Sequence, residues 1–241
     1  MKILILLNTL LLLILTSPLH PSTNRIPIIA QGGAPLTYTL PTPILDGDMS
    51  VERALANRRS RRDFTNEALS QQQLSNLLWS AYGVTQPNTR SPRFRGGFRT
   101  TPSAGAMYAL DIYVAIGNVT GIEAGVYKYI SEENKIVRTI NRDVRAELAA
   151  AALGQLMVRE APITIIWTAI YERMAHYGER GRLRYVYMEI GHSSQNVYLQ
   201  AEALGLGTCA IAAFSDDRVK RLLELPANEE PLYMMPVGYV E

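Results

Sequence analysis

Cysteine is nearly absent: Cys209 is the one thiol in a chain of 241 residues. A lone thiol excludes an internal disulfide framework, and it excludes multi-thiolate zinc sites and chain-internal iron–sulfur clusters, which need several sulfur ligands. Histidine is almost as scarce. The residues at 20, 176 and 192 argue against a His-rich catalytic metal centre. Net charge is lacking as well, with 24 Lys plus Arg against 22 Asp plus Glu and a formal charge of +2. So small an excess makes no electrostatic case for nucleic acid as the main partner. Neither a Walker phosphate loop nor a Rossmann G-x-G-x-x-G occurs, which removes those glycine-rich ways of holding a nucleotide. What is there is a chain 47% hydrophobic and 19% charged, enough to bury a sizeable core.

The N-terminus reads Lys2 and then an apolar run from Ile3 to Leu15, interrupted only by Asn8 and Thr9. That is the pattern of a secretory signal, and it is short against the roughly 20 apolar residues a membrane-crossing helix requires. Ser17-Pro18-Leu19-His20 stands where a small-x-small cleavage site should follow, so an uncleaved anchor stays open beside a cleaved signal. Prolines at 18, 21, 27, 35, 41 and 43 then disfavour helix up to Asp46. Residues 1–22 are therefore expected to be a signal peptide or N-terminal membrane anchor, 23–47 a Pro-rich extended linker or wrapping arm, and 48–241 a single domain. Such a chain is expected to be exported or held at the cell envelope, with membrane contact confined to the N-terminal segment.

Within the domain, Ser50 is positioned to cap a helix, and Ser70 with Gln73 forms a capping box ahead of Leu74, Leu77, Leu78 and Ala81, with Gly83 as the stop. Leu110 to Ile116 alternates as a strand, and 125–130 with 135–140 reads as a hairpin about Glu133-Asn134. Asn141 opens an Ala-rich helix ending at Gly154. Ile163 to Ile170 is a continuous apolar run, as in a strand buried on both faces. A long helix through Leu183, Val186, Ile190, Val197 and Ala201 is ended by Gly205. A strand over 208–213, a helix capped by Ser215 and a final strand over 232–237 complete the pattern. Helices and strands interleave, which fits α+β or α/β.

Two stretches bear chemistry. Arg58-Arg59-Ser60-Arg61-Arg62 sets four guanidinium groups around one hydroxyl, a grip for phosphate oxygens with a hydroxyl left for a ribityl or ribose network. A solvated basic turn has the same composition. Thr101-Pro102-Ser103-Ala104-Gly105-Ala106 is a run of small residues that lets a flat ligand approach backbone N–H groups, and an ordinary turn is its plainer reading.

Arg58 to Phe64, Leu77 to Val84, Arg99 to Tyr108, Gly125 to Tyr129, Tyr177-Gly178-Glu179-Arg180 with Gly191-His192, Ala203 to Thr208, and Pro236-Val237-Gly238-Tyr239 occur in the order and spacing of the nitroreductase superfamily. The chain resembles that family from Ser50 to Tyr239, and its SagB-type dehydrogenase branch most. The resemblance implies an α+β fold with a central mixed sheet flanked by helices, an intertwined homodimer, and FMN as cofactor with NAD(P)H as a potential electron donor to a small-molecule substrate. It assigns the flavin phosphate and ribityl to Arg58, Ser60 and Arg62 with Arg59 beside them. The ring falls to Pro102, Ser103, Ala104 and Gly105 of the other subunit, and the reactive ring nitrogen to backbone at Ala212 and Ala213. His176-Tyr177 stands where azoline oxidases of this branch carry Lys-Tyr, which marks both as candidate catalytic residues. The chain ends at Glu241 without the basic residue many relatives place beyond the last strand. An azoline dehydrogenase of peptide modification and a non-catalytic flavin-binding envelope protein are the alternatives. His192 reads as a packed or interface residue and Cys209 as a small buried hydrophobe.

Overall fold

A computed structural model describes residues 34–87 and 95–240. In chain order its elements are β1 (Thr37–Thr39), α1 (Val51–Asn57), α2 (Gln71–Tyr82), β2 (Val84–Pro87), β3 (Gly97–Arg99), β4 (Leu110–Ile116), β5 (Gly125–Ile130), β6 (Lys135–Ile140), α3 (Arg145–Ala151) and α4 (Leu156–Glu160). There follow β7 (Ile163–Ala169), α5 (Gly178–Ala203), β8 (Gly207–Thr208), α6 (Asp216–Leu222) and β9 (Glu230–Gly238). Short 3-10 segments lie at Ala104–Ala106 and Tyr171–Tyr177. The seven-stranded sheet runs β1-β6-β5-β4-β7-β9-β8, every neighbouring pair antiparallel, and a parallel bridge from Ser60 to Thr208 adds a mixed element at the β8 edge. β2 and β3 form a separate hairpin. The class is α+β.

Strand alternation sorts the core into two layers. Leu110, Ile112, Val114 and Ile116 of β4, with Ile163, Ile165 and Trp167 of β7, meet Leu74, Leu77 and Leu78 of α2 and Val186, Ile190 and Val197 of α5. From the opposite face Tyr113, Ala115 and Ile166 meet Leu148 of α3, Val158 of α4 and Val219 of α6. The apolar run of β7 is buried along its whole length because helices cover both faces of the sheet. α5 ends as its glycine foretells: Gly205 has φ +70°, Gly205 N–H reaches the Glu202 carbonyl and Leu206 N–H that of Ala201 at 2.8 Å.

Some local expectations are corrected. The Ala-rich helix begins at Arg145 rather than Asn141 and stops at Ala151, before Leu153 and Gly154, both at positive φ. The expected 208–213 strand keeps only its first residue in β8, and a single Ile211–Met234 bridge continues toward β9. Of the linker or wrapping arm expected over 23–47, the part from 34 onward wraps onto the domain. Tyr38 pairs with Ile136, Leu40 is buried, the Ser75 hydroxyl donates to the Pro41 carbonyl at 2.5 Å, and Asn76 bonds both the N–H and C=O of Ile44. Proline removes donors but leaves acceptors, and side chains of α2 take them. The signal or anchor expected at 1–22 lies outside the described residues. Among the described residues no helix is long and apolar enough to cross a membrane.

Ser193 joins three elements: its hydroxyl accepts from the buried Trp167 indole N–H at 2.6 Å and donates to the Ala81 carbonyl at 2.6 Å. Ser193→Ala leaves that indole without an acceptor and is expected to cost about 1–3 kcal/mol. Urea unfolding with an unchanged slope and a lower midpoint checks it, and an unaltered midpoint refutes it.

Candidate functional site

α1 ends at Asn57, and the basic segment that follows is laced to α5 and to the β8 edge. The Arg58 guanidinium sits 5.3 Å over the Tyr198 ring, the Ser60 hydroxyl is 3.0 Å from the Tyr198 phenol, and Ala210 N–H donates to the same phenol at 2.8 Å. Arg61 N–H donates to the Thr208 carbonyl, so the segment runs alongside β8. Gly207 has no room for a side chain, because a Cβ there would lie 2.2 Å from Val240 and 3.0 Å from Arg61. The four guanidinium groups therefore divide. Arg59 donates to the Ala56 and Arg58 carbonyls that end α1, and Arg61 pairs with Glu202 at 3.7 Å. Among the described residues the Arg58 guanidinium has only its aromatic contact, and Arg62 is exposed with no hydrogen bond or ion pair. Ala212 and Ala213 follow on the same edge, exposed, their N–H groups without acceptors among the described residues. The Cys209 thiol beside them is pushed up by burial, with Arg62 opposing weakly, as befits a packing residue.

The second group of expected residues lies elsewhere on α5. Pro102, Ser103 and Ala104, with Tyr185, Met188, Glu189 and His192, line a cavity of about 240 Å³ that no residue of the basic segment borders. Gly105, Ala106 and Tyr108, just after the cavity-lining Pro102–Ala104, all have positive φ and make a compact turn. The Ser103 hydroxyl accepts from Tyr108 N–H at 2.9 Å and donates to the Glu189 carboxyl at 2.6 Å, while the Tyr82 phenol donates to the other carboxyl oxygen. Glu189 is 1% exposed, and burial pushes both its carboxyl and the Tyr82 phenol up. A larger groove, about 390 Å³ between the 44–51 segment, Trp79 and the end of α5, contains none of the expected site residues.

His176 and Tyr177 close the 3-10 segment before α5. His176 is exposed, its ring edge-on to Tyr177 at 5.4 Å, and Tyr177 is edge-on to Tyr185 at 5.2 Å. Tyr177 thus stands one ring away from the Pro102–Ala104 cavity.

Beneath both turns lies an ionic knot that sequence reading missed. Asp111 of β4, 7% exposed, accepts from Arg95 at 3.0 Å, Lys128 at 2.8 Å, and Arg173 at 2.9 and 3.0 Å. Burial alone would raise its carboxyl, but Lys128, Arg173 and Arg95 outweigh that and hold it well below the usual carboxylate range. Arg173 also bonds the Ala109 and Leu110 carbonyls, and Arg95 that of Tyr108, so one carboxylate anchors the turn carrying His176-Tyr177 and the chain leaving Ser103. Its signal was a lone acid in an apolar strand. Glu189 carried a similar signal, an acid on the core-facing side of α5.

The family model for the Nitroreductase family matches residues 55–239. A protein of Methanocaldococcus jannaschii described as a candidate nitroreductase is 47% identical over 192 residues, covering 79% of this chain and 91% of that one. This chain belongs to the Nitroreductase family. Family membership makes it a flavin-type oxidoreductase. A solved candidate nitroreductase from Ralstonia eutropha superposes with a TM-score of 0.73 at 28% identity, over 85% of this chain and 90% of that one. The trifolitoxin-processing protein of Rhizobium leguminosarum bv. trifolii is 28% identical over 132 residues, 53% of this chain and 35% of the relative.

The Asp111 knot gives stability a pH dependence of definite sign. A carboxylate with a depressed native value contributes stability that is full above its unfolded value, about 3.9, and is lost as pH falls below it. Asp111→Asn is expected to lower stability by about 2–4 kcal/mol at pH 7, because the half-buried Arg95, Lys128 and Arg173 lose a shared counter-charge, Lys128 keeping only Glu229 at 3.7 Å, and to flatten the acid limb below about pH 4. Denaturant melts of both proteins from pH 7 to 3 measure this. Equal acid dependence in the two would remove the knot as its cause.

Proposed function

We propose that the chain binds FMN and transfers hydride between a reduced donor and a small-molecule acceptor, with reduced nicotinamide as the donor class. The observation that carries this is the pair of guanidinium groups, Arg58 and Arg62, not consumed by the protein, lying beside the Ser60 hydroxyl on an edge whose Ala212 and Ala213 amides are unpaired. Two cations and a hydroxyl fit a phosphate dianion with its sugar-alcohol chain, and amides fit a ring nitrogen. FMN, when bound, supplies the hydride-accepting and hydride-donating chemistry. The protein's own part is to hold and orient: Arg58 and Arg62 at the phosphate, Arg62 also as a fixed cation near a ring that gains negative charge, and Pro102 to Gly105 against the ring face.

None of the cavities described above is lined by both halves, and we assign completion of the pocket to a second copy. Leu183, Tyr187 and Met188 stand on α5 at 45%, 55% and 53% exposure, and Met188 also lines the Pro102–Ala104 cavity. Covering that stripe with the same face of another copy would bring a partner's half-site to this cavity. Tyr177, through Tyr185, is the residue we assign to proton supply or substrate alignment, with His176 as its ring neighbour. Placement at the cell envelope rests on the Ile3–Leu15 run. The toxin-processing relative favours a second reading, dehydrogenation of heterocycles in a modified peptide, against which His176 stands in place of lysine.

The purified chain is expected to be a dimer with about one FMN per subunit, and Arg62→Ala to weaken FMN binding by about 1.5–3 kcal/mol, the range for a lost charged hydrogen bond. Sedimentation with cofactor mass and absorbance reads both. A monomer that keeps its flavin, or unaltered FMN affinity in the variant, overturns the assignment. Tyr177→Phe is expected to lower turnover about 100-fold with flavin absorbance unchanged. Unchanged kinetics would return the His176-Tyr177 pair to a surface role.

A further inference from the structure

Tyr198 of α5 stands where the basic segment meets the 210–213 edge, and the hydride-transfer reading gives it no task. Its ring carries the Arg58 guanidinium at 5.3 Å, its phenol oxygen accepts Ala210 N–H at 2.8 Å, and the Ser60 hydroxyl lies 3.0 Å from the same oxygen. One turn further along α5, Glu202 accepts from Arg59 N–H at 3.3 Å and pairs with Arg61. Helical spacing thus puts two anchors on one side of α5, Glu202 for Arg59 and Arg61, Tyr198 for Arg58 and Ser60. Past Ala210 the chain is fixed again: Ile211 and Met234 of β9 exchange N–H···O bonds at 2.9 and 3.0 Å, and the Ala213 carbonyl accepts from the Gln155 side-chain amide at 3.0 Å. The exposed Ala212 and Ala213 therefore sit on a short stretch whose near end is set by the Tyr198 phenol.

We infer that Tyr198 is a positioning residue for the flavin: its ring seats Arg58 for the phosphate, and its hydroxyl ties Ser60 to the 210–213 edge, so that the phosphate end and the ring end of the site move as one unit. This rests on the flavin reading above. The order of hydrogen bonds follows from what a phenol can offer. Its oxygen already accepts from Ala210, so its single proton goes to Ser60 Oγ, and the Ser60 proton is left for an acceptor outside the chain. A phosphate dianion or a ribityl oxygen is such an acceptor, and a chain of bonds polarised in one direction strengthens its last donor. The two contributions of Tyr198 can be removed separately. Tyr198→Phe keeps the ring against Arg58 and removes both hydroxyl bonds, whereas Tyr198→Leu removes ring and hydroxyl together.

The test has two arms on the full chain. In the apoprotein, amide hydrogen exchange over 210–213 is expected to quicken about tenfold in Tyr198→Phe, the effect of one lost hydrogen bond, with the amides of β7 unchanged. Unchanged exchange over 210–213 overturns the inference with or without flavin. In the second arm FMN and riboflavin are titrated into each protein. Tyr198→Phe is expected to bind both flavins about tenfold more weakly with their affinity ratio kept, and to lower the midpoint potential of bound FMN because the 212–213 edge is less firmly placed. Tyr198→Leu should lose a further factor of about three to ten for FMN alone, since riboflavin has no phosphate for Arg58 to meet. Ser193→Ala, which cuts the tie from α5 to Trp167, is the control for general loosening of the helix and should leave the ratio and the potential at wild-type values. Equal affinity ratios in Tyr198→Phe and Tyr198→Leu, or the same shifts in Ser193→Ala, overturn the inference and leave the flavin reading standing. A wild-type chain that binds neither flavin overturns the flavin reading, and the role of Tyr198 with it.

Discussion

One buried carboxylate, Asp111, holds the functional side of this molecule in shape. It sits on the central strand β4, and its oxygens gather Lys128 from β5, Arg173 from the segment before α5 and Arg95 from the approach to β3. Holding three cations partly out of water is costly, and Asp111 supplies the counter-charge all three share. With it, the same arginines are free to spend their remaining donors on the main-chain carbonyls of 108–110. The ion cluster is thus a geometric device: the turn bearing Ser103 and the segment bearing Tyr177 are referred to one point on a rigid strand.

The long helix α5 performs the complementary task. Its inward side carries Val186, Ile190 and Val197 into the core, and the polar residues interspersed among them are each committed: Glu189 to Ser103 and Tyr82, Ser193 to Trp167 and Ala81, Tyr198 to Ser60 and Ala210, Glu202 to Arg59 and Arg61. A single rod therefore supports both the basic segment and the Pro102–Gly105 turn. That rigidity suits an oxidoreductase whose protein part orients a cofactor, since positioning errors of an ångström are costly in rate.

The basic segment shows how charge is apportioned within a motif. Arg59 and Arg61 finish α1 and tie it to α5, whereas the Arg58 and Arg62 guanidinium groups have no hydrogen bond or ion pair among the described residues. Four identical side chains in five positions have different fates because alternate residues of an extended segment point to opposite sides.

Much of this was legible beforehand where the signal is local. Capping at Ser50 and Ser70, the Gly205 stop, the hairpin about Asn134 and the doubly buried β7 follow from hydrogen-bonding and steric rules that act within a few residues. The Arg58–Arg62 and Pro102–Gly105 stretches were likewise visible as chemistry, since composition alone makes one cationic and the other small. What tertiary structure decided was pairing between distant residues: β1 docking through carbonyls that prolines could not withhold, Asp111 meeting cations 16, 17 and 62 residues away, and Glu189 closing on Tyr82 and Ser103. Those contacts depend on how strands and helices stack, a collective property of burial that no local spacing encodes, and they determine which charges are spent on the fold and which are left for a ligand.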